Sequence, residues 1–145
     1  MIEAVYVESL WQRAGVYYVR TEAMVFGFSI PLDAEFDEND TENTEYILAL
    51  DGIFPVGTCR LNRISSTEAK IERVAVLKEH RKQGVGRTLI QKAEEILSAQ
   101  GIEKIIITSR DEAVGFYEAL GYKADYSQTI ETDVFSIVYI EKIIK

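Results

Sequence analysis

The order of apolar and polar positions along the chain predicts a series of short strands in its first half. Alternating or continuous apolar runs predict strands over residues 4–7, 46–50, 56–61 and 70–76. Asp51-Gly52, between the second and third of these, is a strong turn signal. The connections between the last three strands are too short for crossovers, so they are expected to form an antiparallel meander.

Two segments carry helical spacing. Ser9 is placed to cap a first helix, which Gly15 weakens at one point. Its predicted apolar stripe is Leu10, Ala14, Tyr17, Tyr18 and Val25. A second helix begins after Gly86 and is expected to end at Gly101. Its buried face is predicted to be Leu89, Ile90, Ala93, Ile96 and Leu97.

The remaining segments complete a sheet with helices around it. Residues 105–108 predict a strand that is buried on both faces, and residues 109–112 fit a capping box that opens another helix. Gly121 would end that helix, and strands over 122–126 and 135–143 follow. The order of elements predicts one mixed α/β (α+β) domain over residues 1–145, built around a single sheet.

Composition narrows the classes of function. The net charge of −8 and the pI of about 4.7 disfavour nucleic acid and anionic lipid as partners. The one cluster of basic side chains suits a small anionic ligand, and it consists of Lys78, Arg81, Lys82 and Arg87. No signal peptide is evident after Met1 and no apolar run is long enough to cross a bilayer, so a cytoplasmic protein is expected. A single cysteine, Cys59, excludes an internal disulfide and is expected to be a small core residue.

Residues 33–45 form an acidic segment without lysine or arginine, which predicts a loop or a loosely helical stretch. Two interpretations are open for it. The favoured one is a solvated loop that keeps the protein soluble. The other is a group of carboxylates that attracts a cationic amine substrate. The nearby aromatic side chains are expected to belong to the core.

Residues 70–87 carry the strongest functional signal. An apolar strand runs into a short basic loop, and Gly84 and Gly86 then open a helix. Backbone amides at a helix start, next to cationic side chains, form a binding site for phosphate groups. A Walker A loop does not fit, because Arg81 stands where its first glycine would be. A dinucleotide fingerprint does not fit either, because its third glycine is replaced by Leu89.

Two motifs, in order, resemble those of the GNAT superfamily of N-acetyltransferases. Residues 81–86 (RKQGVG) resemble R/Q-x-x-G-x-G/A, the loop that holds the pyrophosphate of acetyl-CoA. Residues 113–122 (AVGFYEALGY) resemble A-x-x-F-Y-x-x-x-G-F/Y. The resemblance is good over residues 46–126. The N-terminal third is similar to the small bacterial ElaA-type branch, although residues 25–30 (VFGFSI) depart from its V-F-V-x-E-Q sequence.

The resemblance implies a mostly antiparallel sheet flanked by helices, with acetyl-CoA as the co-substrate and no metal. The strand before the loop would carry a bulge and pair through Val74, Ala75 and Val76 with the pantetheine arm, where the central strands splay apart. The residues implied to hold the pyrophosphate are Arg81, Lys82, Gln83, Gly84, Val85, Gly86, Arg87 and Thr88. Phe116 and Tyr117 would also contact the cofactor. Where the family has an asparagine, Arg110 would contact a phosphate or the adjacent Ser109 would bind pantetheine.

The implied chemistry is direct transfer of an acetyl group to the primary amine of a small molecule or peptide within a ternary complex. Tyr117 would be the general acid that protonates the leaving thiolate, and the amide of Val74 would stabilise the oxyanion. Glu72 is a candidate general base, but an ion pair with Arg73 or Lys70 is equally expected for it. His80 is expected to lie at the mouth of the loop and not to take part in the chemistry.

Two further expectations concern the protein as a whole. The alternative to an enzyme is a non-catalytic acetyl-CoA-binding sensor or interaction domain, and Tyr117 favours the enzyme. A homodimer that the long final strand could mediate is compatible with the sequence, which does not itself show one.

Overall fold

The computed structural model describes residues 1–132 and 135–144, and they divide into two compact units. The first unit holds Met1–Asn62 and Ile71–Glu95. The second holds Arg63–Lys70 and the described residues from Ile96 onward. That the whole chain is one domain stays a prediction. No helix in the described ranges is long and apolar enough to span a membrane.

The first unit combines four neighbouring strands with the longest helices. Its strands, in hydrogen-bonded order, are β1 (Ile2–Tyr6), β2 (Glu45–Asp51), β3 (Phe54–Arg63) and β4 (Glu68–Val76), of which Arg63 and Glu68–Lys70 belong to the second unit. β1 pairs with β2, and β2 with β3, in antiparallel register. Its helices are α1 (Leu10–Arg20), which continues as a π-helical turn Thr21–Phe26, then α2 (Leu32–Glu35) and α3 (Val85–Ala99). A 3-10 turn, Lys78–His80, precedes α3.

The second unit is built on the start of β4. Glu68–Lys70 pairs in parallel with residues 104–106 of β5 (Lys104–Arg110). A 3-10 turn Asp111–Ala113 and the short helix α4 (Val114–Glu118) follow. β5 then pairs antiparallel with β7 (Ser136–Ile143), and β7 pairs antiparallel with β6 (Lys123–Glu131). The predicted α+β class, with seven mostly antiparallel strands and four helices, is confirmed.

The final strand lies inside the sheet and not at its edge. β7 pairs with β5 along one edge and with β6 along the other, so both of its edges are already occupied. The outer position in this unit belongs to β6. β7 therefore offers no free strand edge to a second copy of the chain, and a homodimer stays a prediction.

The buried face of α1 differs from the predicted stripe. Its buried residues are Gly15, Val16, Val19 and Arg20, whereas Leu10 is 83% exposed. Gly15 is a packing position, because a Cβ there would lie 3.0 Å from Leu48 Cδ2 and 3.2 Å from Pro55 Cβ. The glycine that weakened the sequence prediction is therefore what lets α1 approach the sheet.

The predicted capping box at residues 109–112 is also wrong. Ser109 is still part of β5, where it pairs with Val138, and its hydroxyl donates to the carbonyl of Arg110 (2.8 Å). The helical segment begins only at Asp111, as a 3-10 turn. The sheet register therefore prevails over the local capping preference of Ser109.

Candidate active site

The loop before α3 has the backbone geometry of an anion site. Lys82 and Gly84 both take left-handed conformations, with φ of +64° and +85°. Alternation of this kind turns successive amides toward one side of the chain, which makes a concave anion-binding surface. The side chain of Val85 is buried and packs closely on Gly57 of β3, because a Cβ at Gly57 would lie only 2.7 Å from Val85 Cγ1. The side chain of Val85 thus belongs to the core, and its backbone to the loop.

At the start of α3, the amide of Thr88 is the first that already donates a hydrogen bond within the protein. Its N–H and its hydroxyl both donate to the carbonyl of Gly84, at 3.0 and 2.9 Å. Because the first amides of a helix have no intrahelical acceptor, the donors at this helix start are those that precede Thr88. The amide of Thr88 is therefore not a donor for a ligand, contrary to the sequence prediction.

The cationic side chains of the loop divide into two roles. Arg81 Nε donates to the carbonyl of Val76 (3.1 Å), and its guanidinium lies 5.9 Å from the ring centre of Phe28. Arg81 thus ties the loop to the end of β4. Lys82 and Arg87 are exposed, and no hydrogen bond or ion pair within residues 1–132 and 135–144 engages their side chains. Their charges supply positive potential around the helix start.

β4 changes its backbone geometry just before the residues implied to bind pantetheine. Arg73 has φ of +52°, in the left-handed region that a side chain disfavours, although it lies inside a strand. A left-handed residue within a strand is the geometry found at one class of β-bulge, which interrupts the regular ladder. Ala75 is buried and packs with Val19 and Ala23, so the strand beyond the break is held against α1 and the turn that follows it.

Glu72 is held in an ion pair by a buried arginine. Its Oε1 lies 3.0 Å from the guanidinium nitrogens of Arg60, which is 3% exposed. Arg60 comes from β3 and was not among the partners that the sequence suggested. The pairing fixes the carboxylate of Glu72 next to the break in β4.

The acidic segment is not a solvated loop at its centre. Glu35, Asp37 and Asp40 pair with arginines on three other elements, and Glu35 and Asp40 are only 1% and 5% exposed. We call this charged group the ionic network. Its centre is buried and its rim, at Asp37 and Arg73, is partly exposed; it comprises Arg20, Glu35, Asp37, Asp40, Arg60, Glu72 and Arg73. These carboxylates neutralise arginines of this chain, which weakens the idea that the segment attracts a cationic substrate.

Asp40 is the most heavily bonded carboxylate of the ionic network. It accepts from Arg20 at 2.6 Å, from Arg60 at 2.9 Å and from the Tyr46 hydroxyl at 2.6 Å. Burial alone would raise its pKa, but these hydrogen bonds outweigh burial and hold the pKa well below its usual range. The pKa of Asp37 is lowered in the same way, chiefly by Arg60 against the effect of burial.

A lowered pKa makes stability depend on pH with a definite sign. The contribution of Asp40 is fully present above its unfolded-state pKa of about 4 and is lost as the pH falls below it. We expect Asp40→Asn to lower the free energy of unfolding at pH 7. Below pH 4, the difference in the free energy of unfolding between wild type and this variant should shrink by up to about 1.4 kcal/mol per pH unit. Urea titrations at pH 7 and pH 3 measure this; an equal gap at both pH values would contradict it.

Tyr117 lies on α4 in an aromatic cluster. It is 6% exposed, and its ring packs edge-on against Phe116 (4.9 Å between centroids) and Tyr122 (6.0 Å). Phe116 is 39% exposed. Of the two residues at the end of β5, Ser109 is buried, and Arg110 binds Glu112 at 2.9 Å and lies over the ring of Phe135. Two aromatic residues of the second motif thus pack against the ring of Tyr117.

The structure also shows where the single cysteine and the single histidine lie. Cys59 is fully buried, and burial raises the pKa of its thiol to about 12, so the core interpretation is confirmed. His80 ends the 3-10 turn before the loop and lies 4.0 Å from Asp51. Among the described residues, no group of three or more His, Cys, Asp or Glu is arranged to hold a metal.

Arg20 and Arg60 were not among the functional residues predicted from the sequence. Both are almost fully buried, and both connect the acidic segment to the elements around it. A signal was present for Arg20, since it lies four residues after Val16 and therefore on the same face of α1. An arginine on an apolar helix face requires buried carboxylates, and the acidic segment is the nearest source.

Comparison with known proteins gives a consistent result. The sequence profile of the Acetyltransferase (GNAT) family matches residues 6–122. The uncharacterized N-acetyltransferase YjcF of Bacillus subtilis is 34% identical over 122 residues, which are 84% of this chain and 86% of that protein.

Two solved structures share the fold. Escherichia coli ElaA superposes with a TM-score of 0.84 at 20% identity, covering 98% of this chain and 99% of that one. An aminoglycoside 6'-N-acetyltransferase complexed with coenzyme A has a TM-score of 0.77 at 13% identity, covering 100% and 97%. At these identities the two structures support the fold alone.

Proposed function

We propose that this chain, which belongs to the GNAT family of acetyltransferases, moves the acetyl group of acetyl-CoA directly to the primary amine of a small molecule or peptide. The observation that carries the donor assignment is the loop before α3. Two left-handed residues, Lys82 and Gly84, precede the start of α3 there, and the side chains of Lys82 and Arg87 are exposed. Such a surface suits the pyrophosphate of the coenzyme.

The break in β4 supports the placement of the rest of the donor. Backbone groups of Val74, Ala75 and Val76 would pair with the pantetheine arm as a neighbouring strand does. The amide of Val74, directly after the left-handed Arg73, would donate to the carbonyl oxygen on which negative charge develops. Ser109 or Arg110 would add a further contact to the coenzyme, and Phe116 would pack against it.

The proton transfers complete the mechanism. Acetyl-CoA supplies a thioester, which is already activated toward an amine. Tyr117 would donate the proton that the leaving thiolate takes up, and the two acids are closely matched because a phenol and a thiol have similar intrinsic pKa values. Glu72 would accept the proton of the amine, directly or through water. Its pairing with Arg60 fixes the position of the carboxylate.

Gly84 offers the sharpest test of the donor site. We expect Gly84→Glu to weaken acetyl-CoA binding by on the order of 100-fold. A carboxylate beside the pyrophosphate would be repelled by roughly 1–4 kcal/mol, and a side chain disfavours the φ of +85° at this position. Isothermal titration calorimetry measures the affinity.

Gly101→Glu is the matched control. Gly101 has φ of +88°, and a Cβ there would likewise meet nothing within 4 Å, so the control adds the same charge and the same backbone strain at the end of α3. We expect it to bind acetyl-CoA as wild type does. Equal affinity of the Gly84 variant and the Gly101 variant would overturn the assignment of the loop.

Some properties of the whole protein remain predictions. These are a cytoplasmic location, a homodimer, and the absence of nucleic-acid and membrane partners.

A further inference from the structure

Arg73 needs an outside constraint to keep its conformation. Its φ of +52° lies in the region that residues with a Cβ disfavour, and it is the only residue of β4 found there. Nothing in its side chain favours this conformation locally, unlike the short polar side chains of asparagine or aspartate. The constraint must therefore come from contacts that the residue makes elsewhere in the fold.

Asp37 provides that contact. Its Oδ2 accepts from the terminal guanidinium nitrogen of Arg73 at 2.9 Å, across 36 residues of sequence. The same carboxylate accepts from Arg60 at 2.9 Å through Oδ1. Asp37 thus joins β3 to the one residue of β4 with a left-handed backbone.

The position of Asp37 is set independently of Arg73. The backbone N–H of Asp37 donates to Asp40 (3.0 Å), and that of Asn39 donates to the Asp37 carboxylate (2.9 Å). Asp40 is in turn held by Arg20 and by the Tyr46 hydroxyl, both at 2.6 Å. The Asp37 carboxylate is therefore held by contacts that do not involve Arg73, which makes it a preorganised partner for the Arg73 side chain.

We infer that Asp37 is a positioning residue for acetyl transfer: by binding the side chain of Arg73, it fixes the left-handed turn in β4 and thereby orients the amide of Val74. This inference rests on the proposed function, in which that amide donates to the acetyl carbonyl oxygen. Asp37 itself touches neither substrate. The inference gives the centre of the acidic segment a role in the rate of the reaction rather than in the choice of amine.

The test is a double-mutant cycle between Asp37 and Arg73. We expect Asp37→Ala to lower kcat by about tenfold or more, while the affinity for acetyl-CoA changes much less, because the loop before α3 is untouched. Glycine adopts a left-handed φ without an external contact. In the Arg73→Gly background, Asp37→Ala should therefore change kcat by less than about twofold. Glu38→Ala, which removes an exposed carboxylate next to Asp37, is the control with wild-type kcat.

A purely structural role gives a different pattern. In that case Asp37→Ala would lower the folded fraction equally in the wild-type and the Arg73→Gly protein. Each kcat is therefore calculated per acetyl-CoA-binding site, as counted by calorimetry. An equal loss of kcat in both backgrounds, or a kcat within twofold of wild type for Asp37→Ala, would overturn the inference. If Asp37→Ala does not fold, Asp37→Asn replaces it, with a smaller loss that Arg73→Gly must also suppress.

A readout without catalysis separates this inference from the proposed function. The amide resonance of Val74 in a ¹⁵N correlation spectrum should move in Asp37→Ala and stay in place in Glu38→Ala. If the wild-type protein acetylates no amine, the proposed function fails, while this spectrum still decides whether Asp37 fixes the backbone. An unmoved Val74 resonance in Asp37→Ala would contradict the inference by itself.

Discussion

Tyr117→Phe should lower kcat by about 10²–10⁴-fold, the range that a positioned general acid contributes. The substitution removes one hydroxyl and keeps the ring, so the edge-on packing against Phe116 and Tyr122 is retained. The affinity for acetyl-CoA should stay within about twofold of wild type, because the proposed pyrophosphate contacts are unchanged. Steady-state kinetics with a thiol readout and calorimetry measure the two quantities.

The control for this substitution is Tyr126→Phe. Tyr126 is 63% exposed on β6 and lies outside the second motif, so the loss of its hydroxyl should leave kcat unchanged. A Tyr117 variant with the same kcat as the Tyr126 variant would remove Tyr117 from the mechanism and leave proton donation to water.

Arg20→Met should give the largest loss of stability of any single substitution considered for this chain, about 3–5 kcal/mol in the free energy of unfolding. Arg20 is fully buried and donates to Glu35 at 2.9 Å and to Asp40 at 2.6 Å. Methionine fills much of the same volume but leaves both buried carboxylates without this partner. Urea denaturation at pH 7 measures the change.

Lys92→Met tests whether any lost ion pair has the same effect. Lys92 lies on the surface of α3, 3.8 Å from Glu95, and an exposed pair of this kind contributes at most about 1 kcal/mol. A similar loss for the Lys92 and Arg20 variants would show that burial of the ionic network is not what makes Arg20 important.

The strands and turns could be predicted because their signals are local. The meander follows from three apolar runs and from Asp51-Gly52, and Gly52, Gly101 and Gly121 all have the positive φ that ends an element or turns the chain. Periodicity failed on α1, because its buried face includes a glycine and an arginine, Gly15 and Arg20, that lie outside the predicted apolar stripe. Because Arg20 is charged, a count of hydrophobic residues does not place it on the buried face.

The ionic network could not be predicted, because its partners are distant in sequence. Arg60 meets Asp37 across 23 residues and Arg73 meets Asp37 across 36, so no local pattern records the pairing. From sequence alone, the same carboxylates looked like a solvated loop. The anion loop could be predicted because Gly84 and Gly86 stand at the motif spacing before a helix, although the left-handed residues are Gly84 and Lys82. Which amides remain as donors depends on the bond from Thr88 to Gly84, which the sequence does not show.

Amine-dependent release of free coenzyme A is the measurement that tests the central claim most directly. The wild-type protein is incubated with acetyl-CoA and a panel of primary amines, which includes small amines, polyamines, aminoglycosides and peptides, and free thiol is followed with time. We predict that at least one amine raises thiol release well above the rate without amine, with acetylated amine as the product. Tight acetyl-CoA binding by calorimetry with no amine-dependent thiol release across the panel would contradict the claim and identify the protein as a non-catalytic acetyl-CoA sensor.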